Sequence, residues 1–98
     1  MAFSVVIKAN IAELIFSKPP VNAFDSSEWA AIAASLVTLG QDDEVHVIVL
    51  RAEGRGFCAG VDIKELAADS NKILSVNKGN YDTFAAIHRN PKPVIVAL

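Results

Sequence analysis

The segment best equipped for chemistry runs from Ala52 to Asp62, where Gly54, Gly56 and Gly60 fall within one short stretch. It follows an apolar, β-branched run, Val45 to Leu50, and leads into a helical pattern whose first capping residue is Asp62. A strand, a glycine-containing loop and a helix start in that order form a backbone anion site. The first N–H groups of a helix have no partner within it, and the helix dipole favours a negative oxygen there. Glycines let such a loop turn sharply and lie close to a ligand. Three readings compete for it. A dinucleotide-binding turn is disfavoured because the spacing G-x-G-x-x-x-G is one residue too long and no acidic residue ends a second strand about twenty residues on. A phosphate-cradling P-loop fails because Val61-Asp62 follows Gly60 where Lys and Ser/Thr are needed. An ordinary strand-to-helix connection stays open on physical grounds alone.

Other reactive side chains carry weaker signals. Cys58 has no base paired with it in sequence, so nucleophilic chemistry is not indicated. His46 and His88 read as packing or surface histidines rather than ligands. Glu65 lies in the first turn of the helix after Asp62, where a carboxylate complements the dipole. Asp62 reads as the N-cap of that helix and so shapes the loop before it. Lys18 and Lys64 have the charge to meet phosphates but read first as solvated lysines. No metal-ligating cluster stands out.

The elements that must position this loop alternate between strand and helix. Phe3 to Lys8 and Ile11 to Phe16 are β-rich runs joined through Ala9-Asn10, a tight turn in which Asn tolerates positive φ. Lys18-Pro19-Pro20 ends the ladder, since proline donates no N–H. Asp25 and Glu28 have capping-box spacing, and Trp29, Ile32, Ala33, Leu36 and Val37 then share a helical face. Gly40 is placed just past that helix as a left-handed cap. Val45 to Leu50 has no alternation, as expected of a strand buried on both faces. The helix opened by Asp62 runs through Ala68. Asp69 to Asn80 reads as largely irregular, with Lys72 to Val76 open to a helical reading, and a helix runs from Asn80 or Tyr81 to Arg89. After Asn90-Pro91-Lys92-Pro93, Val94 to Leu98 is a second buried-type strand. Buried strands separated by helices predict an α/β fold with right-handed crossovers.

Composition bounds the function. The chain has 98 residues, 52% of them hydrophobic and 20% charged, enough apolar material for a packed core in one domain or part of one. A formal net charge of −2 gives no sign of a nucleic-acid partner. The single cysteine excludes an internal disulfide. No signal peptide is evident, and no run approaches the roughly 20 apolar residues of a membrane helix, so the expectation is a soluble cytoplasmic protein without a membrane partner.

Four segments, in order and in register, resemble the enoyl-CoA hydratase/isomerase (crotonase) family. Phe57-Cys58-Ala59-Gly60-Val61-Asp62-Ile63-Lys64-Glu65 is similar to its F-x-A-G-x-D-[IL]-x-E segment. Ser17 to Phe24, SKPPVNAF, resembles N-R-P-x-x-x-N-A-[LFM]; Val45 to Gly54 resembles the strand before the oxyanion loop; and Asn90 to Ala97 resembles the K-P-[VT]-I-A-A strand. Ser17-Lys18 stands where Asn-Arg is common, and PPVN is one residue shorter than the family pattern, a variant that also occurs within the family.

The resemblance implies a crotonase-like ββα spiral fold, with residues 1–98 as the N-terminal part of an acyl-CoA-binding domain, cut before the catalytic glutamates. It implies an enzyme adding water to 2-enoyl-CoA thioesters in fatty-acid β-oxidation. Isomerisation, hydrolysis, decarboxylation or a non-catalytic CoA-binding role are the alternatives. The oxyanion donor would be the backbone N–H of Ala59, with Cys58, Ala59, Gly60, Val61 and Asp62 forming the substrate and CoA contact. Coenzyme A would enter as part of the substrate, with no separate cofactor or metal, and the assembly would be a homotrimer or a dimer of trimers.

Overall fold

The structure, a computed structural model, describes residues 2–98. Its first two strands, β1 (Phe3–Lys8) and β2 (Ile11–Phe16), form an antiparallel hairpin with Phe3 opposite Phe16 and Lys8 opposite Ile11. Ala9 and Asn10 turn it with φ of 53° and 68°. Two successive positive φ values match the right-handed twist of the strands on either side. The remaining strands of the main sheet are β4 (Val47–Ala52) and β6 (Val94–Val96), giving the order β1-β2-β4-β6 with β2, β4 and β6 parallel. A mixed α/β arrangement is therefore present, as the alternation of buried runs and helices predicts.

Helix α1 (Ser26–Gly40) crosses one face of this sheet. Its start follows the predicted capping box: Asp25 accepts the Glu28 N–H at 2.8 Å, and Glu28 reaches back to the Asp25 N–H at 2.9 Å. Trp29, Ile32, Ala33 and Leu36 are buried, together with Leu39. Val37 was expected on that face but is 49% exposed, because the stripe turns toward Leu39 instead. The inward residues Ala12, Leu14 and Phe16 of β2 and Ile48 and Leu50 of β4 complete the core.

Four expectations need correction. Gly40 is the last residue of α1, not a left-handed cap; the cap is Gln41, with φ of −98°. A Cβ at Gly40 would lie 2.7 Å from Asn90 Oδ1, and the Asn90 amide donates to Leu36 O at 2.9 Å. The glycine thus makes room for a side chain that ties the end of α1 to the segment before β6. Second, the strand placed at Val45 to Leu50 lies two residues later. Its register is set by pairing of Val47 with Ile11, while the Val45 N–H closes a turn onto Asp42 O. It is buried on one face: Ile48 and Leu50 are covered, whereas Val47 and Val49 are only half-buried beside the Glu13–Arg51 ion pair.

Third, Asp69 to Asn80 is not irregular. After α2 (Ile63–Ala68) and a 3-10 turn, Ser70–Lys72, a continuous helix α3 runs from Ile73 to His88. Its interior glycine has a packing reason, since a Cβ at Gly79 would lie 2.9 Å from the Trp29 Cβ. α3 packs along α1 at that point. Fourth, β6 covers Val94–Val96 rather than running to Leu98, with Ile95 and Val96 about half exposed within the described residues.

A second ladder was not foreseen. β3 (Ala23–Phe24) pairs in parallel with β5 (Gly60–Val61), matching Ala23 with Gly60 and Phe24 with Val61. Two-residue strands have no periodicity to read.

Candidate active-site loop

The loop between β4 and α2 is anchored first by its aromatic. Phe57 packs on Phe16 with ring centroids 5.2 Å apart, and Phe16 in turn meets Phe24 edge-on at 4.9 Å. Apolar contact thus fixes the middle of a loop that otherwise exposes Glu53 to Gly56. Gly54 and Gly60 have φ of 95° and 103°, which explains the glycines there. Asn22, on the neighbouring turn, is 3% exposed with φ of 57°. Its amide nitrogen lies 3.1–3.2 Å from the carbonyl oxygens of Glu53, Gly56 and Phe57, and its own Oδ1 accepts the Lys18 N–H at 2.7 Å. No chemical role attached to Asn22 in the sequence. The signal available was its place in the SKPPVNAF segment beside a proline turn.

The backbone donors are sorted by the β3–β5 ladder. The Ala59 N–H, expected to face a ligand, donates instead to Val21 O at 3.0 Å and Asn22 O at 3.2 Å. Asp62 donates to Phe24 O at 2.9 Å. Successive N–H groups of a strand alternate sides, so Val61, between Gly60 and Asp62, directs its N–H away from β3. The Ala59 N–H is thus taken up within the protein, while the Val61 N–H is the one turned from β3. The helix-dipole argument also weakens: α2 has six residues, and the Asp62 carboxylate itself takes the Lys64 N–H at 3.0 Å.

The charged residues around the loop pair with one another. Lys18 Nζ lies against Glu28 Oε1 and 3.6 Å from Asp62 Oδ2. Burial disfavours the Lys18 charge, but the Glu28 hydrogen bond and the nearby carboxylates outweigh it and raise its pKa above the usual lysine value. Glu65 accepts the N–H and the hydroxyl of Ser26, each at 2.9 Å, so it caps the start of α1 rather than serving only its own helix. Asp62 is the N-cap of α2, as its position indicated. His46 and His88 are exposed, and Lys64 lies at the surface. Among the described residues, no three His, Cys, Asp or Glu side chains converge to hold a metal ion.

On the side of the loop facing α3 lies a cavity of about 320 Å³. Phe16, Trp29, Leu50, Phe57, Phe84 and Ile87 form most of its apolar wall, and Cys58 and Gly60 bring the loop to its edge. Its size is within the range of small-molecule sites, roughly 300–1,000 Å³. Burial pushes the Cys58 thiol above the usual cysteine value, despite a hydrogen bond from the Gly60 N–H that acts the other way. The thiol is therefore a wall of the cavity and a poor nucleophile at neutral pH. Of the expected contact residues, Cys58 and Gly60 border the cavity, while Ala59, Val61 and Asp62 are not on its wall.

A mixed sheet crossed by helices, with a glycine loop beside an apolar cavity, defines an α/β protein with the features of a small-molecule site. Comparison with known proteins is more specific. Residues 6–98 match the enoyl-CoA hydratase/isomerase family, and the chain belongs to that family. It is 44% identical over 82 residues to a (7aS)-7a-methyl-1,5-dioxo-2,3,5,6,7,7a-hexahydro-1H-indene-carboxyl-CoA hydrolase of Rhodococcus jostii, covering 82% of this chain and 32% of that protein. It is 32% identical over 100 residues to a probable enoyl-CoA hydratase of Bacillus subtilis, covering 99% of this chain and 38% of that protein. The crystal structure of an enoyl-CoA hydratase from Mycobacterium smegmatis superimposes with a TM-score of 0.88 at 30% identity, covering 98% of this chain and 39% of that one. The crotonase-type fold is thus present, and the chain spans 32–39% of the length of these relatives. No helix among the described residues is long and apolar enough to cross a membrane.

Proposed function

We propose that this segment forms the anion-stabilising loop and acyl-facing wall of an enzyme that uses water on an acyl-CoA thioester. The observation that carries the reading is the apolar cavity of about 320 Å³ bordered by Cys58 and Gly60, directly beside the strand whose Val61 N–H turns away from β3. Addition of water or hydroxide near a thioester pushes electrons onto the thioester oxygen. A fixed N–H aimed at that oxygen stabilises the charge as it develops, by about 3–4 kcal/mol for one donor. Val61 is the donor from this loop, in place of Ala59. No carboxylate or histidine belongs to the cavity wall, so proton transfer falls to a group other than these lining residues.

The reaction we favour is hydrolysis of an acyl-CoA whose acyl group carries rings. Support comes from the 44% identity to the hydrolase of an indene-carboxyl-CoA and from the broad, aromatic-lined wall. Hydration of a 2-enoyl-CoA is the second reading, supported by the 32% identity to a probable enoyl-CoA hydratase. Both require the same donor and the same cavity. Coenzyme A enters with the substrate, and a trimer or dimer of trimers is the assembly we expect.

Cys58 offers a direct test, because it is the only cysteine and lies at the cavity. An acyl-CoA that fills the cavity protects Cys58 from alkylation, whereas free CoA does not. Equal alkylation rates with and without acyl-CoA defeat the assignment. Product analysis then separates the two reactions: a hydrolase consumes water by breaking a bond of the acyl-CoA, while a hydratase loses enoyl absorbance and keeps every other bond. In a structure with an acyl-CoA bound, the thioester oxygen lies about 2.7–3.1 Å from the Val61 nitrogen.

A further inference from the structure

We infer that Asn22 is a positioning residue for the anion-stabilising loop, a role that deepens the proposed function and rests on it. Asn22 holds the loop in two ways, through its side chain and through a main-chain contact to Ala59 that it shares with Val21 O. Its side-chain amide nitrogen lies 3.2, 3.1 and 3.1 Å from the carbonyl oxygens of Glu53, Gly56 and Phe57. Its main-chain oxygen, 3.2 Å from the Ala59 nitrogen, accepts that N–H just before β5. Two amide hydrogens shared among three carbonyls draw the loop into a closed curve, and the main-chain contact then sets where β5 begins. The Val61 N–H is two residues beyond that point. Its direction follows from the register that Asn22 helps to establish with Val21 and Phe24.

The residue is itself held rigidly. Its Oδ1 accepts the Lys18 N–H at 2.7 Å, and its own N–H donates to Lys18 O at 2.8 Å. With 3% exposure, little water competes for these bonds. Its φ of 57° is a backbone conformation that Asn and Gly tolerate better than other residues. Asn meets all three demands at once: two donors on one nitrogen, an acceptor on the other arm, and a left-handed backbone. An aspartate has the same shape and tolerates the same φ, but it would set a carboxylate against three carbonyl oxygens. A glycine keeps the backbone freedom and removes the amide.

The test compares wild type, Asn22→Asp and Asn22→Gly in the full protein with a bound acyl-CoA, reading kcat, KM and the carbonyl stretch of the bound thioester. The stretch reports how strongly the oxyanion donor polarises that bond, which global stability alone does not change. Displacement of a catalytic group by about 1 Å costs on the order of 10²-fold. Both variants are therefore expected to lose about 10- to 100-fold in kcat, with KM held within about twofold and the carbonyl stretch returned toward its value in free acyl-CoA. If either variant binds acyl-CoA with the wild-type carbonyl stretch, the positioning role is overturned while the functional reading stands. If a variant is too unstable to assay, the other decides by the same criterion, and loss of kcat with an unchanged stretch counts against the role. A wild-type protein that binds no acyl-CoA overturns the functional reading, and the role of Asn22 with it.

Discussion

Replacing Gly79 by alanine separates helix propensity from helix packing. Gly79 lies inside α3, where alanine is intrinsically favoured over glycine by about 0.8–1.0 kcal/mol. On propensity alone, Gly79→Ala stabilises. The structure reverses the sign. The added methyl would be 2.9 Å from the Trp29 Cβ and 3.4 Å from both the Ala30 nitrogen and the Ser26 oxygen. The nearest atom is fixed to the α1 backbone, so no side-chain rotation relieves the contact, and α3 must move away from α1 by a few tenths of an ångström. Overpacking of a closed interface costs about 1–3 kcal/mol, and subtracting the propensity gain leaves a net loss of up to about 2 kcal/mol. Trp29 is the only tryptophan and sits at the contact, so its fluorescence during urea unfolding reports the change directly. A Gly79→Ala protein with a higher unfolding midpoint than wild type, at equal slope, would refute the packing argument.

Other perturbations probe the remaining links. Leu36, fully buried between α1 and the sheet, loses about 2–5 kcal/mol on truncation to alanine; a loss below about 0.5 kcal/mol means the face does not carry the core. Asp25→Ala removes the capping box at a cost of about 1 kcal/mol. Burial tends to raise the Asp25 pKa, but the hydrogen bonds from Glu28 and Ser27 and the Lys18 charge hold it below the usual 3.8. A depressed carboxyl contributes stability that is present above its unfolded pKa and lost as pH falls through the folded value. The wild-type advantage over Asp25→Ala is therefore full at neutral pH and shrinks as pH drops below about 3.8 in denaturation series. Cys58, with its pKa raised by burial, is expected to react with iodoacetamide at pH 7 more slowly than a free thiol; a rate equal to that of glutathione removes the claim that it is an inert wall.

Local patterns carried much of the framework, because they depend on neighbours in sequence. The hairpin, the Asp25–Glu28 capping box and the Asp62 cap are short-range features, and each stands where its residue types place it. The family segments likewise lie in one contiguous fold. What sequence could not supply were effects of distant partners. Gly79 falls in a stretch read as irregular, and its place inside a helix has a reason only in Trp29, on another helix, which needs the space. Gly40 reads as a cap until Asn90 is found packed against it. The strand before the loop shifts by two residues because pairing with Ile11 sets its register.

The same distinction decides the chemistry of the loop. A motif names side chains, whereas an oxyanion donor is a direction of a backbone N–H. That direction is settled by which strand lies beside it, and β3 is only two residues long. Once Asp62 donates to Phe24 O, the alternation leaves its neighbour Val61 facing away from β3. The charges nearby follow the same logic. Lys18 spans Glu28 and Asp62, joining the cap of α1 to the cap of α2, and Glu65 returns from α2 to the first N–H of α1. Partly exposed ion pairs of this kind contribute at most about 1 kcal/mol each, too little to account for the fold. Their consequence is geometric: they tie together the two helix starts that follow β3 and β5, so the strand carrying Val61, the proposed donor, is fixed before any ligand arrives. A site whose donor is set in advance needs no rearrangement when charge develops, which is the condition under which a backbone N–H is worth several kcal/mol to a transition state.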